Sequence, residues 1–277
     1  MAPGSLPARR IRLEYPADFD PAWNPRLPDF ACAANSVSLL MPYAEPYFVA
    51  SVRSALPLLE EPARREAEAY VRQEALHHAQ HRRFNDRVGE RYPRVVRLER
   101  WMQRTYGWFG RTRSRRFNLA FAAGSETIAF TLARWVDENL GSFFAGADPV
   151  PATLFLWHLA EEVEHKSSAF DVYEAVDGSR LRYAFAMVLS FSILAFYATI
   201  GTLMMVFADG RGFRPMTYLR LARWALSFAF VALPTMLGSA LPGHHPSTLV
   251  DPMWLSSWLT HFDPDTGTLP EPTALAG

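Results

Sequence analysis

Two short stretches of the chain combine glutamate and histidine at helical spacing, and they constrain the fold more than any other feature. EALHHAQH begins at Glu74 and ends at His81, and HLAEEVEH begins at His158 and ends at His165. Because an α-helix turns about 100° per residue, each stretch gathers its imidazoles and carboxylates on one side of a helix. The other residues on those sides are apolar or small. Both sides are therefore expected to face a protein core.

The motif Glu-x-x-His occurs once in each stretch, and two further single glutamates stand in apolar helical surroundings. One such motif is common by chance on a solvated helix. Two motifs and two glutamates on four separate helices, however, match the ligand set of dinuclear carboxylate bundles. A buried carboxylate without a partner costs several kcal/mol, and bound metal ions remove that cost. The predicted ligands are Glu45, Glu74, His77, Glu126, Glu162 and His165.

The chain predicts an all-α fold, since no segment alternates as a strand does. Residues 1–34 are rich in proline and predict an extended N-terminal arm. Residues 35–178 predict an antiparallel four-helix bundle, with helices at about 43–56, 63–88, 115–138 and 151–177. Pro46 directly follows Glu45, so the first helix is expected to bend there or to begin at the ligand.

Residues 179–243 contain two stretches without any charge, 183–208 and 224–243. Each is long enough for a hydrocarbon layer of about 30 Å, but each is equally suited to the centre of a large helical protein. The basic connector between them would lie outside the cell if the bundle were cytoplasmic, against the positive-inside tendency. We therefore predict that the two apolar helices pack on the bundle, with a peripheral membrane contact left open. Residues 244–277 predict a docked tail.

Charge and cysteine content exclude several classes of function. Lysine and arginine balance aspartate and glutamate at 28 each, which gives no case for a nucleic-acid partner. The single Cys32 excludes an intramolecular disulfide and a thiolate-rich metal site. The N-terminus lacks the apolar segment of a secretory signal, so a cytoplasmic location is expected, with membrane association left open. Homodimer formation is also left open.

Three segments carry a resemblance to a known family: NSVSLLMPYAEPYF, QEALHHAQHRRFN and WHLAEEVEHKSSAFDVY. They look like a bacterial family of predicted metal-dependent hydrolases, and residues 35–178 resemble the ferritin-like di-iron superfamily. The order His-x-x-x-Glu-x-x-His is similar to that of the p-aminobenzoate N-oxygenase type. This likeness implies His158 as a seventh ligand beside Glu162 and His165.

Three further side chains are expected to contact the ligands. Gln73 and Glu161 each precede a ligand glutamate and are placed to accept or hold histidine N–H groups across the bundle. His81 faces the same side as His77, one turn further on, and is predicted to support a ligand rather than to bind metal.

The ligand order and the resemblance favour a non-haem di-iron enzyme that activates O2 and oxidises a small apolar or aromatic substrate. The two metal ions are then expected to be iron, with manganese or zinc as alternatives. No flavin or ferredoxin-like motif is present, so the electron donor would be a separate protein. A dinuclear metal-dependent hydrolase is the first alternative. A membrane-associated metal-binding protein without catalysis is the second.

Overall fold

The computed structural model describes residues 6–262, and that part of the chain is all-α, without a strand. The predicted fold class is thereby confirmed. The helices are α1 (Pro28–Ser38), α2 (Met41–Arg53), α3 (Ala63–Arg91), α4 (Val95–Thr112), α5 (Arg115–Asp137), α6 (Leu140–Phe144), α7 (Pro149–Glu164), α8 (Ser168–Val176), α9 (Arg180–Ala208), α10 (Pro215–Ala240) and α11 (Trp254–His261).

Four helical segments form a closed ring around the polar core. α2 packs against α3 and α5, and the segment formed by α7 and α8 packs against the same two helices. α3 and α5 begin within a residue of the predicted starts. The fourth segment was predicted as one helix but is interrupted at residues 165–167, where the run Lys166, Ser167, Ser168 places two weak helix formers together.

Four helices have no counterpart in the sequence-based prediction: α1, α4 and the short α6 and α11. α1 begins at Pro28, inside the stretch predicted as an extended arm, because proline is well suited to the first helical position. α4 was assigned to no element, although its buried residues recur at helical spacing. α2 begins at Met41, two residues before the predicted start, and continues through Pro46. Of the two alternatives expected at Pro46, the start at the ligand is therefore excluded.

The arm itself, residues 6–27, contains no helix and lies over α3 and α7. Its apolar side chains Ile11, Leu13 and Trp23 are buried. The backbone carbonyl of Ile11 accepts a hydrogen bond from Gln80 of α3. The arm therefore closes one side of the polar core.

α9 packs against α5, α1 and α4, and α10 packs against α5, α9 and α1. Small residues permit the close approach of α9. A Cβ atom at Gly124 of α5 would lie 2.7 Å from the backbone of Met187, and one at Gly201 would lie 2.8 Å from Ser36 Oγ. By length and composition alone, α9 and α10 could each cross a membrane. Their inner sides contact the bundle, whereas many of their apolar side chains are exposed.

Candidate metal centre

The interior where α2, α3, α5 and α7 meet is polar rather than apolar. All its ionisable side chains are nine-tenths or more buried. Burying so many carboxylates and imidazoles together is unfavourable unless hydrogen bonds or cations compensate them. The residues are Glu45, Glu74, His77, His81, Glu126, His158, Glu161, Glu162 and His165.

Four of them form a first cluster, in which α3 supplies Glu74 and His77 while Glu162 and His165 lie at the end of α7. Ligand atoms of the four lie within 4.8 Å of one another. His165 Nε2 is 3.4 Å from Glu74 Oε1 and 3.8 Å from Glu162 Oε1. His77 Nδ1 is 3.6 Å from the same Glu162 oxygen. The two predicted Glu-x-x-His motifs thus face each other.

A second cluster, Glu45, His81 and His158, adjoins the first and has equally close ligand atoms. His158 Nε2 lies 3.4 Å from Glu45 Oε1 and 2.8 Å from Glu162 Oε1. Glu162 therefore contacts histidines of both clusters and could bind a metal ion in either. Glu45 reaches this cluster although Pro46 lies within its helix.

His81 belongs to this second cluster, whereas the sequence placed it outside the ligands. Its Nε2 is 2.7 Å from His158 Nδ1, and its Nδ1 is 2.8 Å from Ser38 Oγ. Ser38 in turn donates to Asn85. Both ring nitrogens of His81 thus have hydrogen-bond partners, an arrangement that fixes the orientation of His158.

Glu126 occupies a different position from the one predicted. It belongs to neither cluster, because Oε1 accepts a hydrogen bond from the Tyr70 hydroxyl at 2.7 Å and Oε2 lies 3.0 Å from His165 Nδ1. Glu126 therefore contacts Nδ1 of His165, while Nε2 of the same ring faces Glu74. Tyr70 gave no sequence signal, since a lone tyrosine on a helix has no characteristic spacing.

Glu161 makes the contact that the sequence predicted, with its Oε2 3.0 Å from His77 Nε2. Its other oxygen accepts a hydrogen bond from the backbone N–H of Arg9 and contacts the Arg9 guanidinium. Arg9 also pairs with Glu164. The prediction for Gln73 is wrong. Its amide N–H donates to the Pro7 carbonyl and to Glu164, and within residues 6–262 it has no hydrogen bond to a histidine.

Several buried polar atoms of these side chains have no hydrogen-bond partner. Within residues 6–262 they include both carboxylate oxygens of Glu45 and of Glu74, together with His77 Nδ1 and His165 Nε2. Buried polar atoms are nearly always paired. Here they converge on one space from three helical segments, and an oxygen-and-imidazole donor set suits iron, manganese or zinc. The residues present therefore fit metal ions.

The carboxylates repel one another in the absence of such ions. Burial, together with Glu162 and Glu126, raises the pKa of Glu45 and Glu74 well above the usual range. Burial and Glu162 raise the pKa of Glu126 to about 7, and burial raises that of Glu161 to about 7. A bound cation would reverse this tendency by favouring the ionised forms.

Glu162 and the imidazoles respond differently. Burial would raise the pKa of Glu162, but His165 and His158 outweigh it, so that pKa is lowered. Burial and neighbouring imidazoles hold the pKa of His77 and His81 well below its usual range, which keeps both rings neutral. For His165, burial is outweighed by Glu162 and Glu126, and the pKa rises to about 9.

An apolar cavity of about 710 Å³ ends at this polar core. This volume lies in the range of small-molecule sites, roughly 300–1,000 Å³. His81, His158 and Glu162 line its polar end. Its remaining wall comes mainly from α1, α2, α5, α7, α9 and α10 and is almost entirely apolar, including Phe30, Leu132, Phe155, Leu194, Ala198 and Phe228. No sequence pattern indicates this cavity, because its wall is shared by helices that are distant in the chain.

Comparison with known families agrees with this geometry. A family model described as predicted metal-dependent hydrolase matches residues 7–249, most of the chain. The chain belongs to that family. The match includes both clusters and extends through α9 and α10. No curated protein and no solved structure matches the chain. The family description agrees with the hydrolase alternative and not with O2 activation.

Proposed function

We propose that the protein is a dinuclear metal-dependent hydrolase that cleaves an ester or a related bond in a substrate with a long apolar part. One observation carries the proposal: the two clusters stand at the polar end of a large apolar cavity. The family description supports the reaction class. The cavity supports the substrate class, since an apolar wall without charged side chains favours hydrocarbon over a polar metabolite.

In this proposal Glu74, His77, Glu162 and His165 hold one metal ion, and Glu45, His158 and Glu162 hold the other. When bound, such a pair supplies Lewis acidity and lowers the pKa of water. Glu161 fixes the orientation of His77 through Nε2, and Glu126 fixes that of His165 through Nδ1. His81 does the same for His158.

The cavity wall positions the substrate and excludes bulk water. A chain lying along Phe155 and Leu194 would direct its polar end toward His158 and Glu162. Exclusion of water strengthens each electrostatic contact at the polar end. The substrate's reacting group is thereby brought to the only strongly polar part of the cavity in the described residues.

Metal analysis and a series of p-nitrophenyl esters test the proposal. The purified protein should contain two equivalents of zinc, manganese or iron, and it should cleave octanoate and palmitate esters faster than the acetate. Glu162→Gln should abolish cleavage and metal binding. Glu68→Gln, an exposed carboxylate on the same helix as Glu74, is the matched control and should change neither. Metal-loaded protein that cleaves no ester of any length would exclude esterase activity.

A second candidate function is O2-dependent oxidation of the same class of substrate at a di-iron centre. The observation that favours it is the donor set of carboxylates and imidazoles inside a closed ring of four helical segments, the arrangement of ferritin-like di-iron proteins. The proposed correspondence assigns α2, α3, α5 and α7–α8 to that bundle. Anaerobic loading with iron(II) followed by O2 separates the candidates: accelerated O2 uptake without ester cleavage favours oxidation, which requires a separate electron donor.

A further inference from the structure

A basic and aromatic surface runs along α4, a helix that makes no contribution to the metal centre. Residues 94–116 contain eight arginines and one acidic residue, Glu99. Glu99 is buried and pairs with Arg82. The outward side of the helix is therefore positively charged without an acidic side chain to balance it.

The arrangement around α4 is strongly one-sided. With about 100° per residue, its buried residues Leu98, Met102, Tyr106 and Phe109 lie on one side. On the opposite side, six exposed residues fall within about 100° of arc. They are Arg97, Arg100, Trp101, Arg104, Trp108 and Arg111. Within residues 6–262, none of these four guanidinium groups pairs with a carboxylate.

α9 lies next to α4, because Thr105 and Tyr197 share a hydrogen bond of 2.7 Å between their hydroxyls. The basic surface is thus continued by exposed apolar side chains of α9, of which Phe196 is adjacent to Tyr197. α10, packed on α9, adds a row of exposed apolar side chains within about 60° of arc. These are Leu219, Leu226, Phe230, Leu233 and Leu237.

We propose that the outward sides of α4, α9 and α10 form a surface that binds an anionic phospholipid bilayer from one side. Arginines attract anionic headgroups, tryptophans favour the membrane interface, and exposed apolar side chains enter the acyl boundary. Rows of exposed apolar side chains beside charged residues, as on α9 and α10 next to α4, are typical of interaction sites.

The inner side of α9 excludes a spanning hairpin that leaves the bundle. Four side-chain hydrogen bonds tie this helix to its neighbours, at Tyr183, Ser190, Tyr197 and Thr202. Their partners belong to α5, α4 and α1. The attachment extends over most of the length of α9, so the bilayer meets the helix laterally.

Charge favours a bilayer over a second copy of the chain. A symmetric dimer with its twofold axis at α4 would bring two identical arginine rows together, and like charges at short range oppose association. A dimer centred on α10 would leave the arginines of α4 without a partner. The two exposed tryptophans and the uncharged rows of α9 and α10 favour lipid over a nucleic acid, whose backbone offers no apolar phase. The inference is independent of the reaction at the metal centre.

Vesicle co-sedimentation tests the proposal with the full chain. The protein should bind vesicles of phosphatidylcholine mixed with phosphatidylglycerol, bind pure phosphatidylcholine weakly, and dissociate as salt rises. The triple variant Arg97→Glu, Arg100→Glu, Arg104→Glu should lose binding by roughly a hundredfold or more. The matched control reverses three exposed arginines of the arm and α3, Arg12→Glu, Arg72→Glu and Arg83→Glu, and should bind like the wild type.

Metal content and helical circular dichroism should be unchanged in both triple variants, which shows that they fold. Equal vesicle binding by the two triple variants would overturn the proposal. So would a concentration-dependent dimer in sedimentation velocity that the α4 variant abolishes while vesicles bind neither protein. Binding of RNA in preference to phosphatidylglycerol vesicles, lost in the same variant, would likewise assign the surface to a different partner.

Discussion

Ionisable side chains are buried where α2, α3, α5 and α7 meet, whereas bulky apolar side chains of α9 and α10 are exposed. Both regions reverse the distribution that stabilises a folded chain. The polar core costs stability unless cations compensate its charge, and the exposed apolar rows cost solubility unless something covers them. The cavity joins the two regions, since its polar end is at His158 and its wall reaches Phe228 of α10.

The two regions are expected to bind different partners. The unpaired atoms of Glu45 and Glu74 converge inward on a metal-sized space. The unpaired apolar side chains of α10, such as Phe230, point outward. Substitutions in the polar core are therefore expected to leave the exposed apolar rows intact, and the reverse.

The largest effect is expected at Glu74. Glu74→Gln should remove most of the bound metal, as measured by plasma mass spectrometry, while Glu68→Gln should remove none. In the metal-free state the same substitution should stabilise the protein, because it removes the cost of burying the Glu74 carboxylate and its repulsion by Glu162. At pH 8 metal-free Glu74→Gln should then be more stable to urea than the metal-free wild type, by about 1 kcal/mol or more. A less stable metal-free variant would show that Glu74 has a structural role instead.

The effect of pH on metal affinity should be nearly as large as the effect of Glu74→Gln. Burial raises the pKa of Glu126 and of Glu161 to about 7, and it raises the pKa of Glu45 and Glu74 well above the usual range. Metal binding favours the ionised forms of the ligands Glu45 and Glu74 and of the two carboxylates that orient His165 and His77, so affinity should rise steeply between about pH 6 and pH 8. Competition with a chelator dye across this range measures it, and affinity independent of pH would contradict the prediction.

The same groups set the stability of the metal-free protein. Carboxyls whose folded pKa exceeds the unfolded value hold more protons in the folded state between the two values. Stability should therefore fall as pH rises from about 4.5 to about 7 in metal-free protein. Urea unfolding with a chelator present should show the fall, and added metal should abolish it.

How far the sequence predicts this molecule depends on the kind of signal. Glu74, His77, Glu162 and His165 could be assigned because helical spacing fixes which residues share a side. Glu126 also stands in apolar helical surroundings, yet its carboxylate contacts Nδ1 of His165. Which atom a buried side chain reaches depends on how the helices pack, and residue spacing does not encode that packing. Arg9 could not be found, since its contact with Glu161 joins two segments that are distant in sequence.

The fold shows the same division. α3 and α5 were predicted closely because their polar and apolar residues alternate at helical period. α4 was missed because its arginines obscured its apolar side, although that side is fully buried in the structure. α1 was missed because proline at its first turn resembles the proline-rich arm before it.

An intermediate effect is expected within the second cluster. His158→Ala should lower the metal content from two equivalents to one, because its Nε2 faces Glu45 and Glu162. His81→Ala should retain both equivalents and slow turnover, since His81 contacts His158 from the opposite side. Metal analysis of the two variants decides the matter. Loss of metal in His81→Ala alone would make His81 the ligand.

A smaller effect is expected for substrate access. Ala129 on α5 lines the cavity, and Ala129→Phe should fill part of it without touching the metal centre. Cleavage of the palmitate ester should fall about tenfold more than cleavage of the acetate, because only the long chain needs the filled volume. Ala50→Phe, at an exposed position on α2, is the control. Equal losses for both esters would show that the cavity does not hold the chain.

The smallest effect is expected on the outer side of α10. Phe230 is 80% exposed, whereas Met236 on the same helix is 6% exposed. Phe230→Ala should change the free energy of unfolding by no more than about 0.5 kcal/mol, because the side chain leaves no cavity behind. Met236→Ala should cost about 2–5 kcal/mol. Urea unfolding measures both. A large loss of stability in Phe230→Ala would mean that the exposed apolar row of α10 is covered in solution without lipid, as in a dimer. The contrast between a buried polar core and exposed apolar rows would then hold only for the isolated chain.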